Sequence, residues 1–169
     1  MTEEAMEWLA TLEADLRQKK DRTDSLDDLF QLSFIGDQEE LEKVSWCLAK
    51  MAQNKCQDMR VYTILMSMYD VVNDDVAENV AWGLGELAGV GIGSYEALSA
   101  LRSVPGILPA SQTRWQPRST VRSSAAWAVG RYNHRLHLTD PESSAKLEQL
   151  LDDPSELVRK SARFAIDDE

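Results

Sequence analysis

Residues 121–130 read V-R-S-S-A-A-W-A-V-G, and related stretches occur three more times in the chain. They are V-A-E-N-V-A-W-G-L-G at 76–85, V-R-K-S-A-R-F-A-I-D at 158–167 and, more loosely, E-L-E-K-V-S-W-C-L-A at 40–49. Their aromatic residues are spaced by 36, 45 and 37 positions, at Trp46, Trp82, Trp127 and Phe164. A period near 40 residues in a helical pattern is typical of stacked helix pairs.

Within each copy, small or apolar residues recur at a helical spacing. In the third copy they are Val121, Ala125, Ala128 and Val129, which fall on one face of a helix. A second apolar stretch precedes each copy, at 26–35, 59–72, 95–104 and 145–151. One such pair makes a helical hairpin that cannot bury its apolar face alone, so we expect the hairpins to stack. Residues 3–19 carry their own apolar stripe, and we expect them to form a helix that caps the stack.

The repeated stretches resemble two known repeat families. The pairs Val121-Arg122 and Val158-Arg159 are similar to the HEAT-repeat consensus, and the sequences at 80–85 and 125–130 resemble the third helix of armadillo repeats. The resemblance covers about residues 25–168 and implies an all-α fold, a short right-handed α-solenoid of about four helix hairpins plus an N-terminal capping helix. We expect one domain over 1–169, with the cap at 1–22 and repeats at 23–53, 54–90, 91–138 and 139–169.

Composition narrows the functional classes. The net charge of −11 argues against general nucleic-acid binding, which requires neutralisation of phosphates. The N-terminus has no apolar signal segment, and the longest apolar run is too polar to span a bilayer, so we expect no membrane association. The two cysteines, Cys47 and Cys56, suggest no disulfide framework. We therefore expect a cytoplasmic protein and a monomer.

No residue pattern indicates catalysis. The glycine cluster at 89–94 follows a helix and lacks the spacing of a dinucleotide fingerprint, so we assign it to a helix end. For His134 and His137, no Asp or Glu between 97 and 139 and no cysteine close in sequence offers a third metal ligand. We expect no enzymatic activity, no cofactor and no bound metal.

The arginines are concentrated in one segment. Between Ala97 and Thr139 there is no Asp or Glu, and the net charge is +6, so the other residues carry −17. Arg122 occupies the HEAT position that often forms ion-pair ladders, so we expect it to be structural. The remaining arginines either contact an acidic partner or pair with carboxylates of the flanking repeats.

A second stripe lies beside the apolar face of the repeated helix and includes Trp46, Trp82 and Trp127. In armadillo proteins of the nuclear-import-receptor type, the residues matching Trp82 and Trp127 line the concave groove. An asparagine four residues later holds the peptide backbone there, whereas this chain has Glu86 and Arg131. Two interpretations stay open: the tryptophans are accessible in a groove, or they are buried between adjacent hairpins.

These features predict a non-enzymatic protein–protein interaction module that binds an acidic partner through a basic, tryptophan-containing face. The predicted partner-binding residues are Trp46, Trp82, Arg114, Trp115, Arg118, Trp127, Arg131 and Arg135. Arginine and tryptophan are enriched at interface hot spots. One alternative is an immunity or inhibitor protein that plugs a toxin or enzyme. Another is a HEAT-like nucleic-acid-binding protein resembling the alkylpurine glycosylases, which would need its arginines to converge in one cleft.

Overall fold

The computed structural model describes residues 3–103 and 117–167, and these residues form helices and turns without a strand. The four repeated stretches lie in long helices: α3 (Gln38–Gln53), α5 (Asp74–Gly89), α7 (Ser119–Arg131) and α9 (Glu156–Asp167). Each is preceded by a shorter helix: α2 (Leu26–Ile35), α4 (Met59–Ser67), α6 (Tyr95–Ser103) and α8 (Pro141–Leu150). The N-terminal helix α1 spans Glu3–Arg17, a 3₁₀ turn spans Thr23–Ser25, and a π-helix (Tyr132–Leu136) extends α7.

The repeated helices form one continuous layer. Helix α1 packs on α3, and then α3 on α5, α5 on α7 and α7 on α9, so the hairpins stack in sequence order. The shorter helices form a second layer in which neighbours contact each other over fewer residues. The repeated helices are the more closely packed of the two layers, as on the inner side of an α-solenoid, and we call them the concave layer. The prediction of an all-α solenoid is confirmed.

Burial within the repeated helices follows the predicted spacing. Val121, Ala125, Ala128 and Val129 are all buried, as are the equivalent Val76, Val80, Gly83 and Leu84. The small side chains allow the helix axes to approach closely, which is how short hairpins obtain a continuous apolar core. No helix in the described ranges is long and apolar enough to cross a membrane.

Short polar side chains cap the N-termini of several helices, including α3, α4, α5 and α8. The Asp37 carboxylate accepts from the Glu40 backbone N–H at 2.9 Å, and the Glu40 carboxylate accepts from the Asp37 N–H at 3.1 Å. This capping box explains why a buried glutamate replaces the aliphatic residue at the start of the first copy. Helix α9 begins at Glu156, directly after Ser155. The Ser155 hydroxyl accepts from the Val158 N–H at 3.4 Å. The Asp153 carboxylate accepts from the Ser155 N–H at 2.9 Å and also binds Arg122.

Four helix C-termini of the concave layer share one backbone conformation. A left-handed residue lies in the turn that follows α1, α3, α5 and the π-helix, at Lys19, Lys55, Gly91 and His137, with φ between 56° and 87°. After α1, α3 and α5, an N–H one residue further on closes the turn to a carbonyl five residues back, the Schellman arrangement. The predicted first helix over 3–19 therefore ends at Arg17. After α7 the π-helix adds a residue, and the Leu138 N–H reaches the Tyr132 carbonyl at 3.2 Å.

Candidate protein-binding groove

Three tryptophans form a row across the concave layer, which we call the tryptophan row. The row consists of Trp46 on α3, Trp82 on α5 and Trp127 on α7, and each side chain is partly exposed. Each ring therefore packs against neighbouring residues and also reaches solvent, which lies between the accessible and the buried interpretation of the sequence. The Trp46 and Trp82 ring centroids are 6.4 Å apart at an interplanar angle of 59°. The Arg17 guanidinium of α1 lies 4.6 Å from the Trp46 ring centroid and covers that end of the row.

The position of Trp127 is fixed by a glycine on the neighbouring helix. The Trp127 ring lies directly against the Gly85 backbone, in space that a Cβ atom would occupy. Arg131, one turn further along α7, places its guanidinium carbon 5.4 Å from the Trp127 ring centroid, and its Nε donates to the Gly85 carbonyl at 3.3 Å. Gly85 thus accommodates both side chains at the C-terminal half of α5, where the carbonyl dipoles favour a cation.

A cavity of about 250 Å³ opens between Trp82 and Trp127. Its walls are the two indoles, and its polar lining comes from Glu78, Asn79, Ser123, Ser124 and Ser161. The lining side chains span α5, α7 and α9, so a ligand placed here contacts three successive repeats. We call the tryptophan row together with this cavity the groove.

Hydrogen bonds between repeats hold the polar lining in place. The Asn79 amide donates to the Ser45 hydroxyl at 3.1 Å and to the Glu42 carbonyl at 3.4 Å, which ties α5 to α3. The hydroxyls of Ser123 and Ser161 are 2.6 Å apart and tie α7 to α9. Because these contacts exist without a ligand, little side-chain ordering remains to be done on binding.

Three arginines of the acid-free segment pair with carboxylates of neighbouring repeats. The Arg118 guanidinium lies 2.6 Å from Asp75 and 3.3 Å from Glu78, and the hydrogen bond to Asp75 is the main reason that the pKa of Arg118 is raised. Arg122 binds both carboxylate oxygens of Asp153, at 2.9 and 3.0 Å, which bears out its structural assignment. Arg102 contacts Asp140 at 2.8 Å and Glu142 at 3.2 Å.

The other arginines of that segment differ in their surroundings. Arg131 and Arg135 have no carboxylate within 4.0 Å among the described residues, and Arg135 is exposed on the π-helix. Arg114 and Trp115 lie outside the described residues. The structure therefore brings Trp46, Trp82, Trp127 and Arg131 onto one surface, and it places Arg118 in an ion-pair cluster at the N-terminal end of α5.

Asn79 and Ser124 belong to the same predicted stripe as the tryptophans, one turn before Trp82 and Trp127, but they are not among the predicted partner-binding residues. The sequence did not single out Gly85 as part of the groove. The role of Gly85 depends on the offset between α5 and α7, which one copy of the repeat does not reveal.

Within the described residues there is no group of three or more His, Cys, Asp or Glu side chains placed to hold a metal ion. Burial raises the pKa of the Cys47 thiol to about 12, so it stays protonated and is a poor nucleophile at neutral pH.

Comparison with known proteins supports the fold. No family model and no curated protein sequence matches the chain. Among solved structures, it is similar to the designed armadillo repeat protein YIII(Dq.V1)4CPAF in complex with the peptide (KR)4. The TM-score is 0.63 at 17% sequence identity, and the match covers 97% of this chain and 76% of the designed one.

Proposed function

We propose that this protein is a non-enzymatic binding module that holds a segment of another protein in the groove. The observation that carries the proposal is the partly exposed tryptophan row with a preformed cavity between Trp82 and Trp127. Ordered indoles bury a large apolar area on contact and lose little side-chain entropy, which is why they dominate interface energetics.

Two further observations support a polypeptide ligand. The groove crosses successive repeats and presents hydrogen-bonding side chains next to aromatic walls, which suits a chain with alternating backbone amides and side chains. The structurally similar designed protein is described in complex with a peptide. Because the sequences are only 17% identical, this likeness supports the ligand class and not its sequence.

We further propose that acidic residues of the partner meet the α7 end of the groove. Arg131 lies beside Trp127, and Arg135 is one turn further along, and neither has a carboxylate partner among the described residues. Among the arginines of the acid-free segment that the structure describes, Arg102, Arg118 and Arg122 form ion pairs, which leaves Arg131 and Arg135 at the C-terminal end of α7 as the unpaired basic surface. In the alternative in which this protein inhibits a toxin or enzyme, that target would bind at the same surface. The nucleic-acid alternative is less well supported, since these three arginines bind separate carboxylates instead of converging in one cleft.

The proposal is tested by site-specific photo-crosslinking in the native cell. A photoreactive amino acid replaces Ser124, which lines the cavity, and a matched control carries it at Ser99, which is exposed on α6. We expect Ser124 to cross-link one protein reproducibly through a defined peptide, and Ser99 not to cross-link that protein. Equal cross-linking from both positions, or none from Ser124, would reject the groove as the binding site.

The charge of the partner is tested separately with a synthetic copy of the cross-linked peptide. Reversal of Arg131 and Arg135 to Glu should weaken binding by roughly tenfold or more, mostly through the association rate, and the loss should shrink as salt rises. Arg163→Glu, an exposed change of equal charge on α9, is the control and should have a smaller effect. Tighter binding of the reversed variant would indicate a basic partner.

A further inference from the structure

The outer surface of α2 carries three large apolar side chains next to one another. Phe30, Phe34 and Ile35 are 44%, 66% and 71% exposed, and we call these three residues the apolar patch. The Phe30 and Phe34 rings pack edge to face, with their centroids 4.9 Å apart. Exposed apolar residues that are scattered singly are normal, whereas a contiguous group of them marks an interaction surface in many proteins.

The equivalent helices of the later repeats do not carry such a group. Within the described residues, α4 exposes one large apolar side chain, Met59, α6 exposes Tyr95, and α8 exposes none. Their other exposed positions are occupied mainly by small polar or charged residues, among them Thr63, Ser67, Ser99, Ser103 and Glu148. The apolar patch is therefore specific to α2 and is not a consequence of the repeat.

The patch lies beside the contact between α2 and α4 without being covered by it. Leu29 faces the core and is fully buried. Asp27 pairs with Arg60 at the N-terminal end of α4, at 3.3 Å. Phe30 and Phe34 follow Asp27 by three and seven residues, so they extend along the same side of α2. A partner can therefore contact both rings without displacing a helix of the stack.

Acidic residues flank the patch on both sides in sequence. The segment 23–42 contains no Lys or Arg and seven acidic residues, which are Asp24, Asp27, Asp28, Asp37, Glu39, Glu40 and Glu42. The Asp27 side chain stays 90% exposed although it pairs with Arg60, and Asp28 and Glu39 are exposed as well. Because complementary charge favours association, this surface favours a basic partner, in contrast to the α7 end of the groove.

We propose that the apolar patch binds a segment of a partner protein in which large apolar side chains are flanked by Lys or Arg. The apolar side chains pack on the patch, and the cations lie near Asp27 and Asp28. Two aromatic rings that already pack on each other bury further apolar area on binding and lose little side-chain entropy. The patch shares no residue with the groove, so the inference does not rest on the proposed function of the groove.

Two other occupants fit this surface less well. A membrane would cover the apolar side chains, but its anionic headgroups would be repelled by the carboxylates around the patch. A second copy of this chain carries a net charge of −11, which opposes its association with an acidic surface. Binding of either one at the patch would contradict the proposal.

The test selects ligands for the intact chain from a library of random peptides displayed on phage. A parallel selection uses Phe34→Ser combined with Ile35→Ser, which should fold because both side chains are mostly exposed. The matched control, Tyr95→Ser combined with Leu157→Ser, removes two exposed apolar side chains elsewhere. We expect peptides that combine large apolar residues with Lys or Arg to be enriched on the wild type and the control and lost on the patch variant. Peptides that bind the groove should be retained on all three proteins, so a failure of one site is distinguished from a failure of the other.

No set of peptides lost specifically on the patch variant, or a lost set without an excess of Lys and Arg, would overturn the proposal. The charge is then measured with a synthetic copy of the selected peptide by isothermal titration calorimetry. Asp27→Asn combined with Asp28→Asn should weaken binding by about fivefold, and the loss should shrink as salt rises. Glu148→Gln combined with Asp152→Asn removes two exposed charges at the other end of the stack and should change affinity little. Equal affinities of the two charge variants would also overturn the proposal.

The two other occupants are tested on the chain without peptide. Sedimentation over a range of concentrations should show no association that depends on the patch, and flotation with vesicles of phosphatidylcholine and phosphatidylserine should show no binding. Self-association that is lost in Phe34→Ser combined with Ile35→Ser would assign the patch to a second copy of this chain. Vesicle binding that is lost in the same variant would assign it to a membrane. Either result would overturn the proposal of a basic protein partner.

Discussion

Gly85 shows how a single missing side chain shapes the groove. The Trp127 ring and the Arg131 guanidinium both contact its backbone, so the indole lies close to α5 instead of projecting freely into solvent. The width of the cavity between Trp82 and Trp127 depends on this contact. A methyl group at position 85 would therefore move the Trp127 ring and change the groove, while the packing of α5 on α7 would change less.

We predict that Gly85→Ala displaces Trp127 and increases its exposure. The gain in helix propensity, about 1 kcal/mol, offsets much of the overpacking cost of about 1–3 kcal/mol, so the fold should survive with little net loss of stability. The measurement is acrylamide quenching of a variant in which Trp127 is the only tryptophan. Quenching should rise, and a variant with Trp8 alone should not respond. Unchanged quenching of Trp127 would contradict the described contact.

The ion pair between Arg122 and Asp153 gives a pH-dependent prediction. Burial opposes ionisation of Asp153, but the hydrogen bonds from Arg122 and from the Ser155 N–H outweigh it and lower the pKa of Asp153. Its contribution to stability is therefore complete above the unfolded-state pKa near 4, and it is lost as the pH falls through the lower folded-state pKa. Arg122 and Asp153 are only 21% and 9% exposed, so solvent screening of the pair is limited.

We predict that Asp153→Asn lowers the free energy of unfolding by about 2 kcal/mol at pH 7. The difference from wild type should shrink at pH 3 and below, where the wild-type carboxylate becomes protonated. Denaturant unfolding at both pH values measures it, with the exposed Asp152→Asn as the control. A difference that stays constant with pH would show that ionised Asp153 does not stabilise the fold.

At the scale of helices, the C-terminal turns repeat as regularly as the apolar positions do. A left-handed residue occurs in the C-terminal turn of four helices of the concave layer, if the π-helix is counted with α7. Only one of these four residues is glycine. A non-glycine residue in that conformation costs roughly 1 kcal/mol. Lys19 and Lys55 keep a positive charge next to the helix carbonyls, which partly offsets the strain.

We predict that Lys55→Gly raises the free energy of unfolding by about 0.5–1 kcal/mol, because glycine adopts the left-handed conformation without strain. Lys55→Ala keeps the strain and removes the charge, so it should not stabilise. The reciprocal change, Gly91→Ala, introduces a side chain at φ of 87° and should destabilise by about 1 kcal/mol. Stabilisation by Lys55→Ala equal to that by Lys55→Gly would assign the effect to charge.

For the whole molecule, the sequence predicts the repeated helices and the structural role of Arg122, but it leaves most contacts between repeats undetermined. The burial of Val121, Ala125 and their equivalents follows from helical spacing alone. The capping box was also readable, since Asp37 and Glu40 stand three residues apart. In contrast, Arg118 reaches Asp75 across 43 positions, and that pairing depends on how far α7 is offset from α5. The π-helix likewise arises from a single extra residue, which apolar periodicity does not detect.

We predict that Ala125→Asp destabilises the stack by about 3 kcal/mol or more, because it places a charge in a fully buried position between repeated helices. Ser124→Asp introduces the same group one residue earlier, in the partly exposed lining of the groove, and should cost much less. Thermal unfolding followed by circular dichroism measures both. Equal stability of the two variants would mean that the register of α7 is wrong.

The claim that the groove is the binding surface is tested most directly by ligand protection of its tryptophans. The solvent accessibility of each indole N–H in the intact chain is measured by NMR with a soluble paramagnetic probe, with and without a saturating copy of the peptide cross-linked from Ser124. We expect the peptide to lower the probe's effect on Trp82 and Trp127 several-fold and to leave Trp8 on α1 unchanged. A probe effect on Trp82 and Trp127 that does not change when the peptide is bound would contradict the claim.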